Sequence, residues 1–204
     1  WFARYVTADL NNDGYPDLVG ILPGNLVIAL NNGAGQFTDS MHVGSSDGFL
    51  TELAITDFDN DGDLDVVVIS NHKVNPDGIH GFEGIIVFKN DGRGKFPEVN
   101  FYQPRINFAF PEYLYASDFN NDSFSDVTVF GDMAGYVCLN LTNGILGTDT
   151  SAIRKVWGAE TLGPFAAGDL NGDNWEDLII SGYRFFLDTS SVTYYSVIKN
   201  CPAV

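Results

Sequence analysis

"TDFDNDGDLDVVVIS", Thr56 to Ser70, places carboxylates at alternate positions from Asp57 to Asp65 and then runs directly into the apolar stretch Val66 to Ile69. An acidic loop rich in Asn, Asp and Gly followed by a β-branched run reads as a turn feeding a strand. The same arrangement recurs as "ADLNNDGYPDLVGIL" from Ala8, "SDFNNDSFSDVTVF" from Ser117 and "GDLNGDNWEDLIIS" from Gly168. Aligned on Asp9, Asp57, Asp118 and Asp169, the copies are 48, 61 and 51 residues apart. That period fits a propeller blade rather than a helical-repeat unit.

Each copy has the same surroundings. A short apolar segment leads in, the acidic loop follows, then a strand-like run, then a third run: "NLVIALN", "GIIVFKN", "GYVCLN" and "RFFLD". The first two copies continue into near-duplicate turns, "NNGAGQF" and "NDGRGKF". Outer strands are expected around Phe37 to Val43, Phe96 to Tyr102, Ile153 to Trp157 and Val192 to Ile198, which makes four strands per unit. No segment sustains a helical period with caps, so the chain reads as all-β. The units divide it into approximate blades 1–46, 47–108, 109–160 and 161–200.

Oxygen-bearing side chains occupy loop positions one, three, five and nine. They are Asp9, Asn11, Asp13 and Asp17; Asp57, Asp59, Asp61 and Asp65; Asp118, Asn120, Asp122 and Asp126; Asp169, Asn171, Asp173 and Asp177. Such a set can converge on a hard cation, and Ca²⁺ takes about six to eight oxygens, some from backbone carbonyls. Position seven varies freely as Tyr15, Asp63, Phe124 and Trp175, which marks it as a backbone-carbonyl ligand. Thirteen of the 27 acidic residues lie at the four side-chain positions, a self-repelling density without a cation. Up to four Ca²⁺, one per repeat, are therefore expected. An EF-hand is excluded, because its position-twelve Glu is replaced by Gly20, Val68, Val129 and Ile180. At position six Gly14 and Gly62 give way to Ser123 and Asn174, and Ser tolerates a left-handed backbone least, which makes the third loop the weakest candidate.

Composition narrows the function. Ten basic against 27 acidic residues give a net charge of −17, which argues against nucleic-acid binding and against an anionic membrane surface. A hydrophobic content of 45% with 16 Phe and 9 Tyr supplies core material. No apolar run is long enough for membrane insertion. Cys138 and Cys201 show no metal-ligand spacing, and their pairing is left open. The histidines, His42, His72 and His80, lie in no nucleophile or metallohydrolase motif, so no catalytic site is expected. The insertion "NHKVNPDGIHGFEG", with His72, Asp77, His80 and Glu83, reads as a polar surface loop, with a second metal or ligand site as the other reading. Trp1, Trp157 and Trp175 are candidates for stacking on a ligand, and Asn140 and Asn121 open N-glycosylation sequons.

These residues resemble FG-GAP/VCBS repeats, the units of integrin α-subunit-like β-propellers. Loop, apolar strand and N-N-G-x-G-x-F turn follow in the family's order, and the resemblance spans essentially the whole chain. Intact Phe-Gly and Gly-Ala-Pro signatures are missing, so the VCBS form is nearer. The resemblance implies a propeller of four-stranded blades with Ca²⁺ in the loop joining the first and second strands, held by the sixteen side chains named above. Four repeats are fewer than the family's usual seven or eight blades. Either four blades close, or the chain is part of a larger ring completed by another copy or another chain, which is the favoured expectation. The function it suggests is a secreted or cell-surface adhesion module for an extracellular protein or glycan. The alternatives are a structural unit of an extracellular filament or assembly and, less favoured, a polysaccharide-active enzyme or its accessory domain.

Overall fold

A computed structural model describes residues 4–22, 25–44, 49–71, 82–106, 111–131, 134–142, 144–149, 151–158, 166–172, 176–185 and 191–198. The first sheet holds β1 (Arg4–Ala8), β2 (Asp17–Leu22), β3 (Asn25–Asn31) and β4 (Phe37–Gly44). The second holds β5 (Phe49–Thr56), β6 (Asp65–Asn71), β7 (Phe82–Lys89) and β8 (Glu98–Tyr102). The third is built from β9 (Pro111–Ser117), β10 (Asp126–Gly131), β11 (Ala134–Cys138) and β14 (Ile153–Gly158), with a hairpin of β12 (Asn140–Thr142) and β13 (Ile145–Leu146) ahead of its last strand. The fourth comprises β15 (Ala166–Gly168), β16 (Asp177–Phe185) and β17 (Ser191–Ile198). Every pairing is antiparallel, and strands follow in chain order, so each sheet is a meander.

The sheets stack face to face, and the central strands show why. In β6 all seven residues are buried, and its period of two sends alternate side chains to opposite neighbours. Val66 and Val68 join Leu10 of the first acidic loop and Val19, Ile21, Leu26 and Ile28 of the first sheet, while Val67 and Ile69 join Leu114, Val127, Val129 and Cys138 of the third. Strand β10 repeats the pattern, with Phe130 turned toward a cluster that includes Ala167 of the fourth sheet. First strands β1, β5 and β9 lie next to one another in succession. Radial stacking of four-stranded meanders with adjoining first strands is a β-propeller built of such blades.

Two expectations are corrected. The fourth sheet has three described strands: Arg184 and Phe185, the first two residues of "RFFLD", continue β16, and the rest of that stretch lies outside the described residues. The segment from Val192 to Ile198, expected outermost, pairs directly with β16 in unbroken register from Leu178–Ile198 to Phe185–Ser191. No turn chemistry separates Ile180 from Tyr183 beyond one glycine, and an extended chain passes through glycine without breaking its ladder. The third blade also replaces the N-N-G-x-G-x-F turn by the β12–β13 hairpin, which had no expected counterpart.

Cys138 is buried in the core with a free thiol, and Cys201 lies outside the described residues. Burial, reinforced by the nearby charge of Asp126, pushes the thiol up to about 12. Alkylation at mildly alkaline pH should therefore leave the Cys138 peptide unlabelled in folded protein and label it in guanidinium chloride. Rapid labelling of folded protein at Cys138 would contradict this packing.

Candidate metal centre

Each acidic loop spans the end of a blade's first strand and the start of its second. Position one organises it. Asp9 accepts the amides of Asp13 (3.1 Å) and Gly14 (2.8 Å), Asp57 those of Asp61 and Gly62 (both 3.0 Å), and Asp118 those of Asp122 (3.0 Å) and Ser123 (2.8 Å). Position five repeats the device over two residues: Asp13 accepts from Tyr15, Asp61 from Asp63 and Asp122 from Phe124, each at 2.9 Å. The position-five bonds are Asx turns, and together with the longer-reaching position-one bonds they curl the loop. In loop four Asp169 accepts the amides of Asn171 (3.2 Å) and Gly172 (2.7 Å), while Asp173 and Trp175 lie outside the described residues.

The curl needs a left-handed backbone at two places. Position six has it at Gly14 (φ 86°), Gly62 (φ 95°) and also Ser123 (φ 74°), so loop three keeps the shape of the others despite its side chain. Position four has it at Asn12, Asn60 and Asn121 (φ 58–60°) and at Gly172 (φ 80°). The sequence signal for position four, an unbroken Asn, Asn, Asn, Gly across the repeats, was legible but went unread. Since Ser123 carries strain that glycine lacks, Ser123→Gly should stabilise the protein by about 1 kcal/mol, read by urea unfolding. A loss of stability would show that its hydroxyl matters more than its backbone.

Loops one and three soften their own charge. The amides of Asn11 and Asn120 donate to Asp13 (3.0 Å) and Asp122 (2.8 Å). In loop two the corresponding residue is Asp59, which has nothing to donate. Carboxylate oxygens of Asp57, Asp59 and Asp61 lie within 4.8 Å of one another. Asp59 Oδ1 is buried without a hydrogen-bond partner, and its Oδ2 lies 3.3 Å from Lys89 Nζ. Burial works against the charge on Lys89, but bonds to Asp59 and Glu98 outweigh it and hold its pKa above the ordinary value. Gly144 of the β12–β13 hairpin packs here, since a Cβ on it would meet Asp59 Cβ at 2.6 Å. One lysine does not satisfy three converging carboxylates, and a buried orphan oxygen is a costly thing to keep. The donor set, all hard oxygens, fits a divalent cation such as Ca²⁺.

Position nine has a different environment. Asp17, Asp65, Asp126 and Asp177 are fully buried at the loop base. Asp17 accepts the amides of Leu10 (2.9 Å) and Asn31 (2.7 Å), Asp65 those of Phe58 (3.0 Å) and Asn90 (2.8 Å), and Asp126 those of Phe119 (3.1 Å) and Asn140 (2.8 Å). Asp177 accepts from Leu170 at 3.2 Å. Desolvation raises Asp65 to about 6 and Asp126 to about 7, the backbone bonds opposing it and the loop's other aspartates adding to it. These carboxylates first tie strand to loop, and their second lone pairs remain for a cation.

Position seven supports neighbouring structure. Tyr15 is half-exposed and packs on Gly33, whose added Cβ would meet its ring at 2.6 Å, and a Cβ added at Gly92 would likewise meet the Asp63 carboxylate at 2.5 Å. Asp63 also accepts the side-chain amide of Asn12 at 2.8 Å, joining loop one to loop two. Of the insertion's candidates, His72, Asp77 and His80 lie outside the described residues, and Glu83 accepts the Ser70 hydroxyl at 2.9 Å. Trp1 and the side chain of Trp157 also lie outside them. Asn140 is fully buried with its amide bonded to Phe58 O (2.7 Å) and Ser125 O (3.3 Å), so its sequon presents no exposed acceptor. Sequence reasoning missed the role of Asn31, Asn90 and Asn140, although every one of the first three third-strand motifs ends in asparagine.

No curated protein matches this chain. A solved structure described as the basis of specific recognition of non-reducing terminal N-acetylglucosamine by an Agrocybe aegerita lectin is similar at 16% identity and a TM-score of 0.36. The match covers 89% of this chain and 63% of that one, so this chain spans less than two thirds of it. Residues 9–68, the stretch from the first acidic loop into the strand after the second, match the model of the FG-GAP-like repeat.

Proposed function

We propose that this chain is a calcium-stabilised β-propeller module, secreted or displayed at a cell surface, that binds an extracellular protein or glycan and performs no catalysis. Calcium is structural: it neutralises the inward carboxylates at positions one, three, five and nine, with the carbonyl at position seven completing the set. Loop two carries the reading, through the converged Asp57, Asp59 and Asp61 and the orphaned Asp59 Oδ1. Loops one and three share its turn geometry, with Asn11 and Asn120 supplying amide oxygens in place of Asp59. Affinity suited to millimolar extracellular calcium is the regime of such a site. The FG-GAP-like repeat supports a binding module.

The test is a broad glycan array probed with calcium-loaded protein beside an EDTA-treated sample, with native mass recorded on the same preparation. Calcium-dependent binding to one sugar class establishes a lectin-like module. Absence of binding with a mass at a multiple of 22.3 kDa would shift the reading to a structural unit of an assembly.

A further inference from the structure

The position-nine aspartates and the asparagines that end the third strands form one unbroken hydrogen-bond line across three blades. It starts in the third blade, where the Asn140 amide N–H donates to Asp126 Oδ1 at 2.8 Å. The Asn140 side chain then crosses to the second blade and donates to Phe58 O at 2.7 Å. Phe58 N–H donates to Asp65 Oδ2 (3.0 Å), and Asp65 Oδ1 accepts from Asn90 N–H (2.8 Å). The Asn90 side chain crosses to the first blade and donates to Leu10 O at 2.7 Å, and Leu10 N–H donates to Asp17 Oδ2 at 2.9 Å.

Each crossing asparagine also holds the position-eight carbonyl of its own blade's loop, Leu64 O at 3.0 Å for Asn90 and Ser125 O at 3.3 Å for Asn140. Asn90 and Asn140 are buried, so these bonds are not exchanged for water at low cost. Further contacts run parallel to the line. Asn12 bonds Asp63 at 2.8 Å, the Thr56 and Ser125 hydroxyls share a bond at 2.6 Å, and Ser117 donates to Glu176 of the fourth blade.

From this we infer that Asn90 and Asn140 are positioning residues that couple the loops, so that calcium binding in one blade raises the affinity of the loop in the blade before it. The inference rests on the calcium reading above. A cation pulling on position nine of loop three fixes Asp126, which fixes the Asn140 backbone, and the Asn140 amide sets the second-position carbonyl of loop two. That carbonyl lies between the position-one and position-three ligands Asp57 and Asp59. Coupling through a shared, packed bond network is the physical form such linkage takes.

The experiment is hydrogen exchange of peptides covering each loop across a calcium titration. In Asn140→Ala protein the calcium concentration giving half-protection of loop two should rise about fivefold or more, although no carboxylate has changed and residue 140 belongs to another blade. An unchanged loop-two midpoint in folded Asn140→Ala protein overturns the coupling. Should that variant fail to fold in saturating calcium, Asp122→Asn serves instead, disabling loop three: a raised loop-two midpoint supports the coupling and an unchanged one overturns it. If the unaltered protein shows no calcium-dependent protection in any loop, the calcium reading and the coupling fall together.

Discussion

Chelation of calcium should lower the melting temperature of this protein by roughly 20–40 °C. A site held at about a hundredfold above its dissociation constant contributes about 2.7 kcal/mol to folding. Four such sites approach the whole stability of an ordinary domain, about 5–15 kcal/mol. In a chain of this size each kcal/mol moves the midpoint by roughly 2–4 °C. The double variant Asp57→Ala, Asp61→Ala isolates loop two. It should lose about one site's share in millimolar calcium and little in EDTA, because without the ion those carboxylates mainly repel one another. Differential scanning calorimetry in both media decides the matter, and equal losses in calcium and in chelator would remove the structural role assigned to the ion.

Asp65→Ala should behave in the opposite way, costing about 3 kcal/mol in EDTA as well as in calcium. Its carboxylate accepts two buried amides, those of Phe58 and Asn90, and an orphaned buried donor costs about 1–3 kcal/mol. Some of that is returned, since burial already works against the charge on Asp65. Asp65→Asn retains one acceptor and should recover about half. Urea unfolding of the metal-free proteins measures this directly. If Asp65→Ala matches the unaltered protein in EDTA, position nine is a calcium ligand alone and not the tie between strand and loop.

The contrast between these variants separates two jobs that the repeat pattern presents as one. Read along the chain, positions one, three, five and nine are equivalent oxygen donors. In space, Asp57, Asp59 and Asp61 converge while Asp65 lies beneath them with both oxygens already engaged by backbone. The difference arises because position nine is also the first residue of the second strand, where the sheet's packing buries it.

The amino-acid sequence by itself determined the repeat, the strand–loop–strand order and the ligand spacing, because these depend on local chemistry: Asx turns, left-handed Asn and Gly, and the alternating burial of β-branched residues. The run Val66 to Ile69 was legible as a strand for the same reason, and its burial on both faces follows from having no polar residue within it. Tertiary structure alone decided the rest. That Asn90 reaches Leu10, eighty residues away, and that Asn140 reaches Phe58 follow from how one blade docks on the last. It also decided that β16 runs on through Phe185 and pairs directly with β17, and that Asn140 of the sequon is buried. An asparagine at a strand end is compatible with solvent, a turn or a glycan, and only the carbonyl that an adjoining blade places within hydrogen-bonding distance selects among them.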